Sequence, residues 1–205
     1  MQSIVVEFRD WIGNLRNFDL VYFIRNSPPL FISDLISSGS AFLLIYVFTN
    51  YATPEIYGQY QYLFSILGVL SLFSLPGVNT AIAQSSARAF DSVLQEGTKL
   101  RLKSALIGSA AMILVASYFF SRAQLDLFRG LVIAAVLFPT YYGLDTFLSF
   151  LQGKKRFLSF SIITSLLFLL PILATTVVVL LNCEFQYVIM IRLGVTSLLN
   201  VIFLQ

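Results

Sequence analysis

Histidine is absent from the 205 residues, and cysteine occurs once, at Cys183. Without imidazole, zinc sites and histidine acid–base chemistry lose their commonest participant. A lone thiol excludes an intrachain disulfide, and Cys183 reads as a small apolar residue near a helix end. Charge is also scarce. Asp, Glu, Lys and Arg make up 11% of the chain, against about 25% in a soluble domain. With 58% of residues hydrophobic, a water-facing surface could not be covered. Several motifs are missing as well. Gly153-Lys154-Lys155 lacks the upstream glycine and the following Ser/Thr of a phosphate-binding loop, so ATP hydrolysis is not expected. No loop clusters Asp and Glu for metal-dependent glycosyl or phosphoryl transfer. The chain is therefore expected to be no enzyme and to use neither metal nor cofactor. Residues 1–29 carry Glu7, Arg9, Asp10, Arg16, Asp19 and Arg25 and no compact apolar segment before a small-residue cleavage site. That argues against a cleaved signal peptide and makes the first apolar run an uncleaved signal-anchor.

What the chain does have is six apolar runs, at 31–51, 60–83, 104–120, 131–151, 160–181 and 185–204. Each is close to the roughly 20 residues of a membrane-spanning helix. None alternates in polarity as barrel strands of about ten residues would. The expected class is an all-α polytopic membrane protein, with an interfacial segment at 1–29 and a six-helix bundle at 30–205.

The Lys/Arg distribution supports this division. With the N-terminus in the cytoplasm, Arg9, Arg16, Arg25, Arg88, Lys99, Arg101, Lys103, Lys154, Lys155 and Arg156 fall on the cytoplasmic side, against Arg122 and Arg129 outside. Cytoplasmic loops attract the basic excess. The expected location is the cytoplasmic membrane with the N-terminus inside. The longest joint, 84–102, reads as a polar helical extension of span two that ends at Gly97. Ile4, Phe8, Trp11, Ile12 and Leu15 share one helical face, as in a helix lying on the inner leaflet, and Pro28-Pro29 is expected to break the chain before span one. Lys154-Lys155-Arg156 suits anionic headgroups, and no nucleic-acid partner is expected.

Polar residues interrupt the spans. In span one, Asp34 shares a face with Ser37, Ser38 and Ala41, a face expected to meet protein or water. Span two contains Pro76-Gly77 followed by Asn79 and Thr80, which predicts a kink. Span four contains Pro139, Thr140, Tyr141, Tyr142, Gly143 and Asp145, and span five contains Pro171. Arg192 lies about seven residues into span six, or roughly 10 Å. Intramembrane Asp34, Asp145 and Arg192 are the candidate functional charges. Arg192, Asn79, Thr80 and Tyr141 are the candidate cavity residues, and Asp34 and Asp145 the candidate ion-coupling acids. In depth, Asp34 and Asp145 can pair; the alternative is snorkelling or a structural ion pair. Ser104 with Gly108, and Ala105 with Ser109, form small-residue steps for close packing of span three.

Pro54-Glu55-Ile56-Tyr57-Gly58 is similar to the Pro-Glu-x-Tyr-Gly element that opens the second helix of polysaccharide and oligosaccharide flippases. Gly77 with Thr80-Ala81 and Ala87-Arg88 resembles the end of that helix. Leu151-Gln152-Gly153 with Lys154-Lys155-Arg156-Phe157 resembles the element closing helix four. These families belong to the multidrug/oligosaccharidyl-lipid/polysaccharide exporter superfamily. The resemblance implies alternating-access flipping of a lipid-linked oligosaccharide, a polyprenyl-pyrophosphate glycan, through a cavity between two six-helix bundles. It further implies that Arg192 attracts the anionic head and that Asp34 or Asp145 carries the coupling ion. Family members have twelve or fourteen helices, so this chain is expected to be an N-terminal fragment. Its partners would be the C-terminal half or a second subunit, and membrane lipids. Alternatives are an ion-coupled drug or small-solute exporter of the same superfamily, a membrane-embedded glycan polymerase, and a non-transporting scaffold.

Overall fold

A computed structural model of the chain describes residues 20–90 and 92–204, with side chains from residue 27. The amphipathic face from Ile4 to Leu15 lies outside the described residues. The described chain is all-helical, in eight α-helices and one 3-10 turn, with no strand among the described residues. The α-helices are α1 (Leu20–Tyr51), α2 (Pro54–Leu70), α3 (Gly77–Ala87), α4 (Val93–Ser121), α5 (Leu125–Gly143), α6 (Thr146–Gly153), α7 (Phe157–Leu180) and α8 (Phe185–Leu204). Five segments are long and apolar enough to cross a membrane, or six when the bent pair α2/α3 is taken as one span. The chain is a multi-pass membrane bundle.

The observed boundaries follow from local chemistry. α2 starts six residues earlier than the apolar run suggests. Thr53 accepts a hydrogen bond from Ile56 N at its N-terminus, Pro54 occupies the first turn, and Glu55 adds a first-turn acid. Tyr57 then reaches back to Phe48 on α1, ring centroids 5.5 Å apart. The expected break at Pro28-Pro29 does not occur, because α1 runs through both prolines. Their fixed φ near −65° is itself helical.

The largest departure is the joint at 84–102. It is not an extension of span two, and Gly97 does not end a helix. α3 stops at Ala87, and α4 begins at Val93 and runs unbroken for 29 residues through Gly97. Gly97 is buried, and a Cβ there would sit 2.6 Å from Ile82 Cδ1. Its lack of a side chain lets α4 lie against α3, so packing rather than termination explains this glycine.

α4 packs on α5, α5 on α8, α8 on α7, and α7 on α1. Ser104, Ala105 and Gly108 are buried in this arrangement, and Gly108 abuts the ring of Phe138, as the small-residue steps predict. α2 contributes Tyr60, Leu63 and Leu67 to the common core. α3 packs on α6, and a side chain at Gly153 would collide with Ser86 and the Ala83 carbonyl. The segments around Ala87-Arg88 and Leu151-Gln152-Gly153, far apart in sequence, thus meet through a close backbone approach. Pro171 is buried inside an unbroken α7.

Candidate functional site

Spans two and four are both broken, and the breaks face each other across α4. In span two the axis bends by 51° between Pro54–Ser74 and Gly77–Ala87, where Pro76-Gly77 predicts a kink. A residue before proline is disfavoured in the α region, and Leu75 adopts a left-handed φ of 53°. The turn Ser71–Ser74 tightens into a 3-10 helix, and the Ser74 carbonyl is left without a helical donor, since Val78 N bonds instead to Leu75 O at 3.0 Å. In span four, α5 continues through Pro139 and stops at Gly143, and α6 restarts at Thr146. The Thr140 and Tyr141 carbonyls would otherwise receive the amides of residues 144 and 145.

Each set of freed carbonyls is met by a side chain from another span. Asn200, buried on α8, donates Nδ2 to Thr140 O at 3.2 Å and to Tyr141 O at 3.1 Å. Arg101, 2% exposed on α4, donates Nε to Ser74 O at 3.1 Å and Nη2 to Ser74 Oγ at 3.3 Å. Its Nη1 donates to Asn79 Oδ1 at 2.8 Å and to Asp145 Oδ1, with which it forms a salt bridge. A cation at a helix C-terminus is favoured electrostatically, and Asp145 neutralises it across the second break. Nearby, Thr98 and Thr146 hydroxyls share a 2.6 Å hydrogen bond between α4 and α6.

This arrangement corrects one expectation outright. Arg101 belongs not to a polar joint but to the long apolar helix α4, and it is the least exposed cation among the described residues. To the three charges expected within spans, the structure adds Arg101 as a fourth charge carried on a helix long and apolar enough to cross a membrane. Its sequence neighbourhood, Lys99-Leu100-Arg101-Leu102-Lys103, conceals it, because burial depends on α4 starting at Val93. Asn200 and Ser74 also escaped notice. A lone amide in the apolar run Leu198-Leu199-Asn200-Val201-Ile202 was the available signal for Asn200.

Arg192 stands apart from this network. Together with Tyr141, Tyr142, Asp145, Thr196 and Asn200 it lines a cleft of about 160 Å³, whose apolar wall includes Leu167 and Phe168. The guanidinium interacts electrostatically with the Tyr141 hydroxyl, and with the Tyr60 hydroxyl both electrostatically and through a side-chain hydrogen bond. Yet its Nε and Nη1 are buried without a hydrogen-bond acceptor among the described residues. Arg192 and Asp145 share the cleft but form no salt bridge; Asp145 is held by Arg101.

The remaining candidates separate. Asn79 serves Arg101, and Tyr141 lines the Arg192 cleft. Thr80 is exposed and belongs to neither group. Asp34 is exposed on α1, as are Ser38 and Ala41, and it does not pair with Asp145. The face on which it lies points away from the bundle rather than into it, because α1 packs chiefly on α7 through the side that carries Ser33, Ser40, Leu44 and Val47. Comparison with family models, with curated proteins and with solved structures returned no match.

Proposed function

We propose that this bundle is one half of a transporter that moves a lipid-linked oligosaccharide, carried on a polyprenyl pyrophosphate, across the cytoplasmic membrane by alternating access. The N-terminus lies in the cytoplasm in this reading, and a second bundle completes the pathway. The observation that carries the proposal is Arg192. A buried donor left unmade costs about 1–3 kcal/mol, more when charged. A cation held in that condition beside a cleft is suited to an acceptor from outside the bundle, and pyrophosphate oxygens match a guanidinium fork. Two features support the same reading. Broken spans at membrane depth are typical of transport pathways, and the polar groups around the breaks are gathered between helices rather than turned to lipid. The work required is electrostatic: the protein lowers the cost of carrying a charged head through hydrocarbon.

Asp145 serves this reading as the counter-ion of Arg101, and Asp34, exposed on the outer face of α1, takes a coupling ion only where the second bundle covers that face. The test is glycan export in cells whose genomic copy carries Arg192→Ala or Arg192→Lys. Losing a charge-assisted hydrogen bond of about 1.5–3 kcal/mol predicts roughly 10- to 100-fold weaker capture. Export should fall accordingly in the alanine variant and partly recover in the lysine variant, with unchanged protein in the membrane. Undiminished export in Arg192→Ala would overturn the proposal.

A further inference from the structure

We infer that the groove between α2 and α4 binds an anionic phospholipid, its acyl chain in the groove and its phosphate on Arg122. The groove has a volume of about 610 Å³ and is lined by Tyr62, Ile66 and Val69 of α2 and by Leu114, Val115 and Tyr118 of α4. Its walls are almost wholly carbon. The lining serine, Ser65, turns its hydroxyl back to the Gln61 carbonyl at 2.8 Å. Val69 and Leu114 are 67% and 72% exposed, so the two helices leave a channel between them that their own side chains do not fill. From Tyr62 to Val69 it runs about 10 Å along α2.

One end of the channel is polar. Tyr118 stands in the last turn of α4, and Tyr62 packs against its neighbour Phe119, ring centroids 5.7 Å apart. The Arg122 guanidinium lies over the Tyr118 ring, 5.5 Å from its centroid. A guanidinium can present two N–H groups to two phosphate oxygens. Arg122 is exposed and forms no salt bridge among the described residues. An apolar channel parallel to the helices, ending at an uncompensated cation, complements a molecule with a hydrocarbon chain and a negative head. A free phosphate would not use the channel, and an uncharged chain would not use Arg122. The site is independent of Arg192, since α2 turns Tyr60, Leu63 and Leu67 the other way, into the core.

The test uses the purified chain in phosphatidylcholine vesicles containing chain-labelled phosphatidylglycerol or phosphatidylcholine, read by electron spin resonance. The wild type should immobilise labelled phosphatidylglycerol in preference to phosphatidylcholine, above the level of ordinary boundary lipid. Arg122→Gln should bring the two lipids to parity while keeping the immobilised chain signal. Leu114→Trp, which fills the channel from an exposed position, should reduce that signal to the boundary level for both. A preference unchanged in Arg122→Gln, or an immobilised signal unchanged in Leu114→Trp, would overturn the assignment. So would efficient disulfide cross-linking between copies bearing Leu114→Cys, which would show a second chain covering the groove. Glycan export is a separate readout, so this site and the Arg192 cleft can fail independently.

Discussion

Arg101 and Arg192 are the same side chain in the same bundle, and the structure treats them oppositely. Arg101 spends its donors on a freed carbonyl, a hydroxyl, an amide oxygen and a carboxylate, and is sealed from the surroundings. Arg192 keeps two buried donor atoms without an acceptor and borders a cleft. Burial alone therefore does not identify a working charge. A cation whose donors are all met holds parts of the protein together, and one whose donors are unmet is available for chemistry with something else. Asp145 sharpens the contrast, because it borders the Arg192 cleft while being bonded to Arg101.

The comparison is broken most forcefully at Arg101. The Asp145 side chain keeps 31% of its surface exposed, so removing Arg101 strands a carboxylate that solvent still reaches, and with the lost charge-assisted hydrogen bonds the cost is about 2–3 kcal/mol. Arg101→Ala should therefore lower the unfolding free energy in mixed micelles by that amount. Arg101→Met with Asp145→Leu should cost clearly less than Arg101→Ala alone, and the double-mutant cycle should show strong coupling. Additive losses would mean that the pair is incidental.

Asn200 comes next. Asn200→Ala leaves the Thr140 and Tyr141 carbonyls unmet at the second break, and two lost hydrogen bonds predict about 1–3 kcal/mol of destabilisation. Hydrogen exchange should rise at the end of α5 before it rises in α7. An equal rise throughout would show that Asn200 does not act at the break.

Arg192 should behave in the opposite way. Arg192→Leu removes two unmet donors along with the hydrogen bond to Tyr60, so folding stability in micelles should change by no more than about 1 kcal/mol, whereas export falls. A loss of stability like that of Arg101→Ala would erase the distinction between the two arginines. The smallest effect belongs to Thr80→Ala, on an exposed side chain outside both groups, with an expected change within about 0.5 kcal/mol.

Much of the architecture is legible in the run lengths. The last span matches its apolar run, 185–204, end for end. The bend at Pro76-Gly77 is where the proline's missing donor and the adjoining glycine predict a kink, although Pro139 and Pro171 leave their helices unbroken, and the small residues of α4 do meet α5. The site was less legible. Asp34 shares a polar helical face with Ser38, yet periodicity says only that these residues share a face, not which way the face turns. α1 packs on α7 with its other side. Tyr141 and Arg192, expected together as cavity residues, do line one cleft, whereas Asn79, expected with them, is bonded to Arg101 instead.

Composition and the lengths of the apolar runs by themselves determined an all-α membrane bundle, read as six spans where the structure has five or six, since hydrocarbon thickness and backbone hydrogen bonding leave few other solutions. Which charge is held and which is available was decided only by tertiary structure. Arg101 finds Ser74 across 27 residues and Asp145 across 44. A donor is satisfied by whatever acceptor lies within about 3 Å of it in space, and proximity of that kind has no signature in the order of residues along the chain.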